Sequence, residues 1–394
     1  MNPAWDTVKL KEIAKFRTGK LDSNAAVPGG QYPFFTCSPE TFEIDSYAFD
    51  TTAILLAGNN ANGKFPIKYY TGKFNCYQRT YVIENNAQDK LVLPYLYFAL
   101  QMQLEGLRSI SVGAATKFLT KTILDSLKIP LPSLPIQQKI AGILSAYDDL
   151  IENNLKRIKL LEELAQITYE EWFVRLRFPG HESTTINSET NLPEGWKCQK
   201  FSKHVDLLRG VEPGSSSYEK QQTSNSIPFL RVGDLSKRNS EIFIRASDSN
   251  DKICRKEDVL LSLDGSPGLV RFGMSGAYSS GIRKAVIKND LFSPVFVYCY
   301  LNSAPVQFLI EAHATGTTIL HAGSSVKYMK INCPPKEILE CFNKKMNPCF
   351  KLILTLLDQN KALTKARDIL LPRLMTGMID VESYDPAQLL QEAA

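Results

Sequence analysis

Pro135–Arg177 read PIQQKIAGILSAYDDLIENNLKRIKLLEELAQITYEEWFVRLR, and this stretch decides the architecture. Ile140, Ile143, Tyr147, Leu150, Asn154, Ile158, Leu161, Ala165, Thr168 and Trp172 follow one another at steps of three or four. That spacing lays them along one stripe of a helix, close to a coiled-coil seam. No Gly or Pro interrupts the run after Gly142. At about 1.5 Å per residue it makes a rod of roughly 55 Å, longer than a globular core needs. Such a rod cannot bury its stripe alone.

One other segment is comparable: Lys336–Leu371, KEILECFNKKMNPCFKLILTLLDQNKALTKARDILL. Ile338, Phe342, Met346, Cys349, Ile353, Leu356, Asn360, Leu363, Arg367 and Leu370 repeat the spacing. Pro348 removes a backbone donor and crowds the preceding turn, which predicts a kink or a split at Asn347. Each stripe carries an asparagine near its middle, Asn154 and Asn360. Two readings of these stand open: a polar pair that fixes register and partner number, or side chains facing solvent at a helix edge. The two helices are expected to pack together as a spacer, with the segment before each as the payload.

The chain has 394 residues, 44% hydrophobic, enough for two or three domains with full cores. Its formal charge of +5 is compatible with nucleic acid without being diagnostic of it. The eight cysteines include no C-x-x-C pair, and no signal peptide precedes them, so reduced thiols and a cytoplasmic location are expected. No apolar run approaches the length of a membrane span. Four isolated histidines argue against a His-based metal site.

Before the first long helix, Pro- and Gly-punctuated runs (YPFFT, TAILLAG, FPIKYYTG, TYVIEN) read as short strands. LPYLYFALQMQLEGLRS has helical spacing, so residues 1–134 make a mixed α/β globule with a mostly irregular sheet. Residues 178–191 are polar and aperiodic, a linker. Then the pattern restarts. Trp5 and Gly19 recur 191 residues later as Trp196 and Gly210. Gly63 aligns with Gly268, TYVI from Thr80 with KAVI from Lys284, and LPYLYFAL with SPVFVYCYL. VGAATKFLTKTILDSLKIPLP aligns with ATGTTILHAGSSVKYMKINCPP.

The expected fold is therefore mixed α/β (α+β), a tandem pseudo-twofold repeat of globule plus long helix, with the helices forming an antiparallel coiled coil. Its segments are a globule 1–134, a helix 135–177, the linker 178–191, a globule 192–335, a helix 336–380 and a tail 381–394. A two-fold reader of this kind suits two half-sites on a duplex. The copies have diverged, so the half-sites would differ.

At these residues the sequence resembles the specificity subunit of a type I restriction-modification system. The resemblance covers nearly the whole chain. Its most specific pieces are IPLPSLPIQQKIAGILSAYDDLIENNLKRIKLLEELAQ and ARDILLPRLMTGMIDV, supported by IPFLRVGDL, DVLLSLDGSPGLV, GAATKFLTKTIL and TGTTI. The second copy departs from it with INCPPKEILECFNKKMN where the first reads IPLPSLPIQQKI. The resemblance implies that the globules are target recognition domains and the helices spacer regions. It implies a non-catalytic reader of double-stranded DNA that binds two modification subunits, adenine-N6 methyltransferases carrying S-adenosylmethionine. Restriction subunits would add ATP- and Mg-dependent cleavage, so no cofactor is expected on this chain.

Candidate DNA-binding residues mix cations, amides and aromatics around short turns. In the first copy they are Lys64, Lys68, Tyr69, Lys73, Gln78, Arg79, Thr116 and Lys117. In the second they are Arg231, Lys237, Arg238, Arg271, Arg283, Lys284, Thr317, Thr318 and His321. Lys and Arg neutralise phosphates, while Arg, Gln and Asn read base edges by paired hydrogen bonds. Thr116-Lys117 and Thr317-Thr318 each follow a small-residue loop, at places expected to be equivalent. On the first long helix Asp148, Asp149, Glu152, Asn153 and Lys156 are expected to face outward toward partner subunits.

No catalytic residue is expected. Asn347-Pro348-Cys349-Phe350 resembles a methyltransferase target-base motif, but it lies within a helical stripe and no F-x-G-x-G loop accompanies it. GNNANG and DGSPG lack the Lys-Ser/Thr and helix of a P-loop. The paired glutamates 162–163 and 170–171 read as a polar helix face. A self-contained DNA-modifying enzyme and a coiled-coil protein scaffold are the rival readings.

Overall fold

The computed structural model describes residues 5–60, 63–111, 113, 116–290 and 292–382. Parts of two expected loops (residues 61, 62, 112, 114 and 115) and the tail from 383 lie outside the described residues. The chain divides into two compact units, Met1–Glu152 with Ala362–Ala394, and Asn153–Lys361. The divisions fall inside the long helices.

In the first unit a six-stranded sheet runs in the order Ala14–Thr18, Thr80–Asn85, Phe49–Ala57, Ile67–Cys76, Tyr32–Phe35, Thr41–Ile44. Neighbours are antiparallel except where Tyr32–Phe35 runs parallel to Ile67–Cys76. The apolar run AILLA of the central strand is explained by its two covered faces. Ile54 and Leu56 enter a core with Tyr95, Leu96 and Ala99 of the helix Leu93–Ile110. Ala53 and Leu55 turn the other way, toward Phe35, Phe74 and Val82. This sheet is regular, contrary to the expectation from the scattered Pro and Gly.

The second unit holds two four-stranded sheets, Val205–Arg209, Ile282–Ile287, Leu260–Ser262, Val270–Arg271, and Phe243–Arg245, Ser226–Leu230, Gly276–Tyr278, Ile253–Cys254. The ten-residue strand Ile67–Cys76 thus has two short counterparts, separated at Gly273, whose φ of 81° leaves the extended region.

The duplication is visible in backbone detail. A Cβ on Gly19 would stand 1.8 Å from the Cys76 carbonyl oxygen, and one on Gly210 2.1 Å from that of Tyr278. Only glycine allows either approach. Phe16 pairs with Ile83, and its equivalent Leu207 pairs with Ala285. Thr80 therefore corresponds to Ile282 and not, as the sequence alignment had it, to Lys284. A slip of two residues keeps every side chain on the same face, so an apolar pattern of period two cannot detect it.

The first long helix spans Leu134–Tyr169, continues as a π-helical turn over Glu170–Val174, and ends near Leu176 at φ 60°. The second spans Lys336–Met375 in one element. Pro348 does not split it. Met346 and Phe350 on either side are buried in the second unit's core, and that packing outweighs one missing hydrogen bond. Phe350 also meets Phe272 with ring centroids 4.3 Å apart, so the Asn347–Phe350 sequence is a packed helix turn.

Within the second unit Asn154 faces Asn360, while Tyr169 and Trp172 meet Phe342. Higher numbers on one helix meet lower numbers on the other, so the pair is antiparallel. In the first unit Asp148 meets Arg367, and Ile140 and Leu144 share a core with Leu371 and Leu374, in the same sense. The buried stripe departs from the expected one at three steps. Leu144 is fully buried while Ile143 is only half-buried. Leu150 is 50% exposed while Ile151 is half-buried. Tyr169 is buried in place of Thr168, whose hydroxyl donates to the Leu164 carbonyl at 2.7 Å. Each shift is a single position, within the drift of a 3.6-residue turn against a seven-residue repeat.

Candidate nucleic-acid interface

In the first unit the sheet strand Phe49–Ala57 runs out at Gly58. The Gly58 amide donates to the Arg79 carbonyl and its own carbonyl accepts from Leu119, both at 2.8 Å. A Cβ there would meet the Arg79 oxygen at 2.4 Å. Asn59–Asn60 then pair antiparallel with Lys117–Phe118. The Arg79 guanidinium lies 5.3 Å from the Phe118 ring, and the Tyr81 hydroxyl donates to the Leu119 carbonyl at 2.9 Å. Gln78, Arg79, Thr116 and Lys117 are thereby brought around one loop pair, with Lys64 on the following segment.

Lys68, Tyr69 and Lys73 sit on the strand Ile67–Cys76 and have other business. The Lys68 ammonium donates to the Glu40 carbonyl (2.7 Å) and the Thr41 hydroxyl (3.0 Å), over the Phe35 ring. Burial brings its pKa down to about 8, only partly opposed by Glu40. Lys73 stacks on Tyr47, and Tyr69 meets Tyr97 edge-on.

The second unit repeats the loop pair. Leu263 donates to the Gly281 carbonyl at 2.9 Å, and Ala322 donates to that of Leu263 at 2.7 Å. Asp264–Gly265 pair antiparallel with Leu320–His321. Here the chemistry is ionic. Asp264 accepts from His321 Nδ1 at 2.8 Å and from the Arg283 guanidinium at 3.2 Å. Its carboxylate is largely covered, so this is a held geometry, with the imidazole itself exposed. Burial pulls the Arg283 pKa down, opposed by Asp264. The DGSPG loop is pinned by Ser262, whose hydroxyl accepts from the Leu269 amide at 2.9 Å. Val232 packs beside Gly265 and Gly281, which brings Arg231 to the same end. The Arg231 side chain and amide both contact Asp234.

Other expected contacts are engaged in holding the domain together. Arg238 pairs with Glu162 of the first long helix and lies over the Phe272 ring. Arg271 donates to the Leu235 and Val270 carbonyls, and Lys284 to the Ile253 carbonyl. These three bind the sheet, the short helix Val232–Lys237 and the long helix to one another. Exposed Lys237 ends that short helix.

Register also corrects one equivalence. Gly113 and Gly316 match: both have positive φ (111° and 123°), and added Cβ atoms would meet the carbonyls of Thr116 and Ile319. Thr116-Lys117 therefore correspond to Ile319-Leu320, not to Thr317-Thr318.

On the first long helix Asp149, Glu152, Asn153 and Lys156 are exposed. Asp148 is not outward: it pairs with Arg367 of the second helix at 2.5 Å. Sequence reasoning missed an apolar outer face on the same helix, where Leu160, Leu164, Ile167 and Val174 are exposed. Their three-and-four spacing was legible, but the more continuous stripe masked it. Among the described residues no cluster of His, Cys, Asp or Glu could hold a metal ion, and no helix is long and apolar enough to cross a membrane.

Two diverged α+β domains, each followed by a long helix and each presenting an equivalent loop pair, define a duplicated module of globule plus long helix. Residues 2–163 match the family model described as "Type I restriction modification DNA specificity domain". The MjaIX specificity subunit of Methanocaldococcus jannaschii is 30% identical over 96% of this chain and 94% of its own length. The chain belongs to the family of type I restriction enzyme specificity subunits. It is 38% identical to the EcoDI specificity subunit of Escherichia coli over 50% of this chain, a match spanning 43% of that relative. The crystal structure of the type I S subunit from M. genitalium shares the fold, with a TM-score of 0.58 and 16% identity over 94% of this chain and 96% of that one.

Proposed function

We propose that this chain is the non-catalytic DNA sequence-specificity subunit of a type I restriction-modification complex. Each recognition domain reads one half of a bipartite, asymmetric target, and the helices set the gap between the halves. The observation that carries this reading is the repeated loop pair, built on the same backbone but bearing different side chains (Asn59, Tyr81, Lys117 and Phe118 against Asp264, Arg283, Leu320 and His321). Such a pair suits one docking geometry used on two different sequences. Two modification subunits would supply adenine-N6 methylation with S-adenosylmethionine. Restriction subunits would supply ATP- and Mg-dependent cleavage in the cytoplasm. The exposed stripe of Leu160, Leu164 and Ile167, flanked by Asp149, Glu152, Asn153 and Lys156, is the surface we assign to a modification subunit.

Co-expression with the neighbouring methyltransferase subunit, followed by genome-wide mapping of methyladenine, tests the reading. A split motif with a fixed gap that vanishes without this chain is expected. Methylation by this chain alone would point to a self-contained enzyme, and methylation that ignores the chain would reduce it to a scaffold. Ile167→Glu is expected to release the methyltransferase subunit while leaving the fold intact.

A further inference from the structure

The loop that closes the second recognition domain carries an unexpected surface. His321 donates its amide to the Thr315 carbonyl at 2.8 Å, and Thr315 donates back at 3.1 Å. Gly316, at φ 123°, lets the backbone fold against the Ile319 carbonyl. The result is a hairpin tip of set shape. On it Ile319 is 56% exposed and Leu320 40% exposed, beside Phe308 at 73%. Pro267, Gln307 and Glu311 line the shallow depression next to Leu320. Adjacent exposed aliphatic side chains on a rigid tip mark a contact surface.

The first domain indicates what that surface meets. At the same register it carries Thr116-Lys117, a hydroxyl and a cation suited to the sugar-phosphate backbone. In the second domain that position is apolar, flanked by His321 and Arg283 on one side and by Glu311 across the depression. An acid at the rim disfavours a phosphate there. The apolar group that a duplex offers at a base edge is the 5-methyl of thymine in the major groove.

We propose that Ile319 and Leu320 read a thymine 5-methyl group in the second half-site, so that this domain specifies an A·T pair by apolar contact where the first uses a cation. The inference rests on the DNA-reading assignment above. The test uses the complex with its methyltransferase subunits and a duplex bearing the mapped motif, with each thymine of the second half-site replaced in turn by uracil. At one position, loss of the methyl weakens binding about fourfold, the worth of one buried methyl group. Ile319→Ser and Leu320→Ser, both at exposed positions, weaken binding to the thymine duplex and erase its difference from the uracil duplex. The first half-site stays insensitive to both variants.

A split motif whose second-half thymines are all silent overturns this proposal alone, and so do serine variants that keep the wild-type response to uracil. Serine variants that shed the methyltransferase subunit while uracil is silent make the tip a protein contact and overturn it too. Absence of any split motif overturns the assignment beneath it.

Discussion

Replacing Asn154 by leucine is the sharpest probe of how the helix pair is specified. Asn154 is 6% exposed and Asn360 9% exposed, and the Asn154 amide donates to the Asn360 oxygen at 2.9 Å. Asn154→Leu leaves the amide at 360 short of one partner in a dehydrated seam, a loss of about 2 kcal/mol. For a unit of roughly 200 residues, 1 kcal/mol moves the melting temperature by about 2–4 °C, so a fall of about 4–8 °C is expected. Asn360→Leu has the same effect. The double leucine variant removes both polar groups and adds apolar burial, so it recovers the loss or melts above wild type, giving a coupling of about 4 kcal/mol or more. The penalty for stability is then specificity: two amides bond only when opposite one another, whereas two leucines tolerate sliding. Melting of the four proteins, with methyladenine mapping of the gap, measures both effects. Single variants that melt as wild type and a double variant equal to their sum would refute the reasoning.

Gly19→Ala and Gly210→Ala each drive a Cβ into a backbone carbonyl, at 1.8 and 2.1 Å, and each is expected to destabilise its own unit by more than about 3 kcal/mol, read by urea denaturation with limited proteolysis. Lys68 has a folded pKa near 8 against an ordinary 10.5, so the unfolded chain binds more protons between those values. Its contribution to stability therefore rises with pH across that window, and Lys68→Gln flattens the rise in melting temperature from pH 7.5 to 10. A heptad inserted into both long helices at matching positions adds about 10 Å to the pair and is expected to widen the gap between half-sites by about three base pairs, leaving the half-sites themselves unchanged. An unchanged gap in the methylation map would separate spacer length from helix length.

The long helices and the duplication were legible because both are written in apolar spacing over dozens of residues. The spacing placed Asn154 and Asn360 in the two stripes but left open whether they pair or face solvent, and only the structure shows the contact between them. What spacing does not carry was misread. The two-residue slip between Thr80 and Lys284 is invisible to a pattern of period two, and only the strand pairs Phe16–Ile83 and Leu207–Ala285 reveal it. Arg238 looked like a DNA contact because its partner, Glu162, lies 76 residues away in the chain. Asp148 looked outward because Arg367 is 219 residues distant. Ion pairs of such separation leave no local trace. Ile319 and Leu320 passed unnoticed because their exposure is a property of the hairpin tip and not of the residue types.

The boundary of the first unit within the second long helix bears on how the protein is made. Leu371, Leu374, Met375 and Val381 belong to the same core as Leu10, Tyr95 and Ile140. The ribosome therefore finishes Met1–Glu152 with one wall of that core still untranslated. At about 5–20 residues per second, the missing wall arrives roughly 10–40 seconds later. During that interval the second unit, Asn153–Lys361, emerges whole and can fold ahead of the first. The domain translated first is thus completed last, and its apolar face is open to chaperones, or to aggregation, for as long as the ribosome takes to reach Val381.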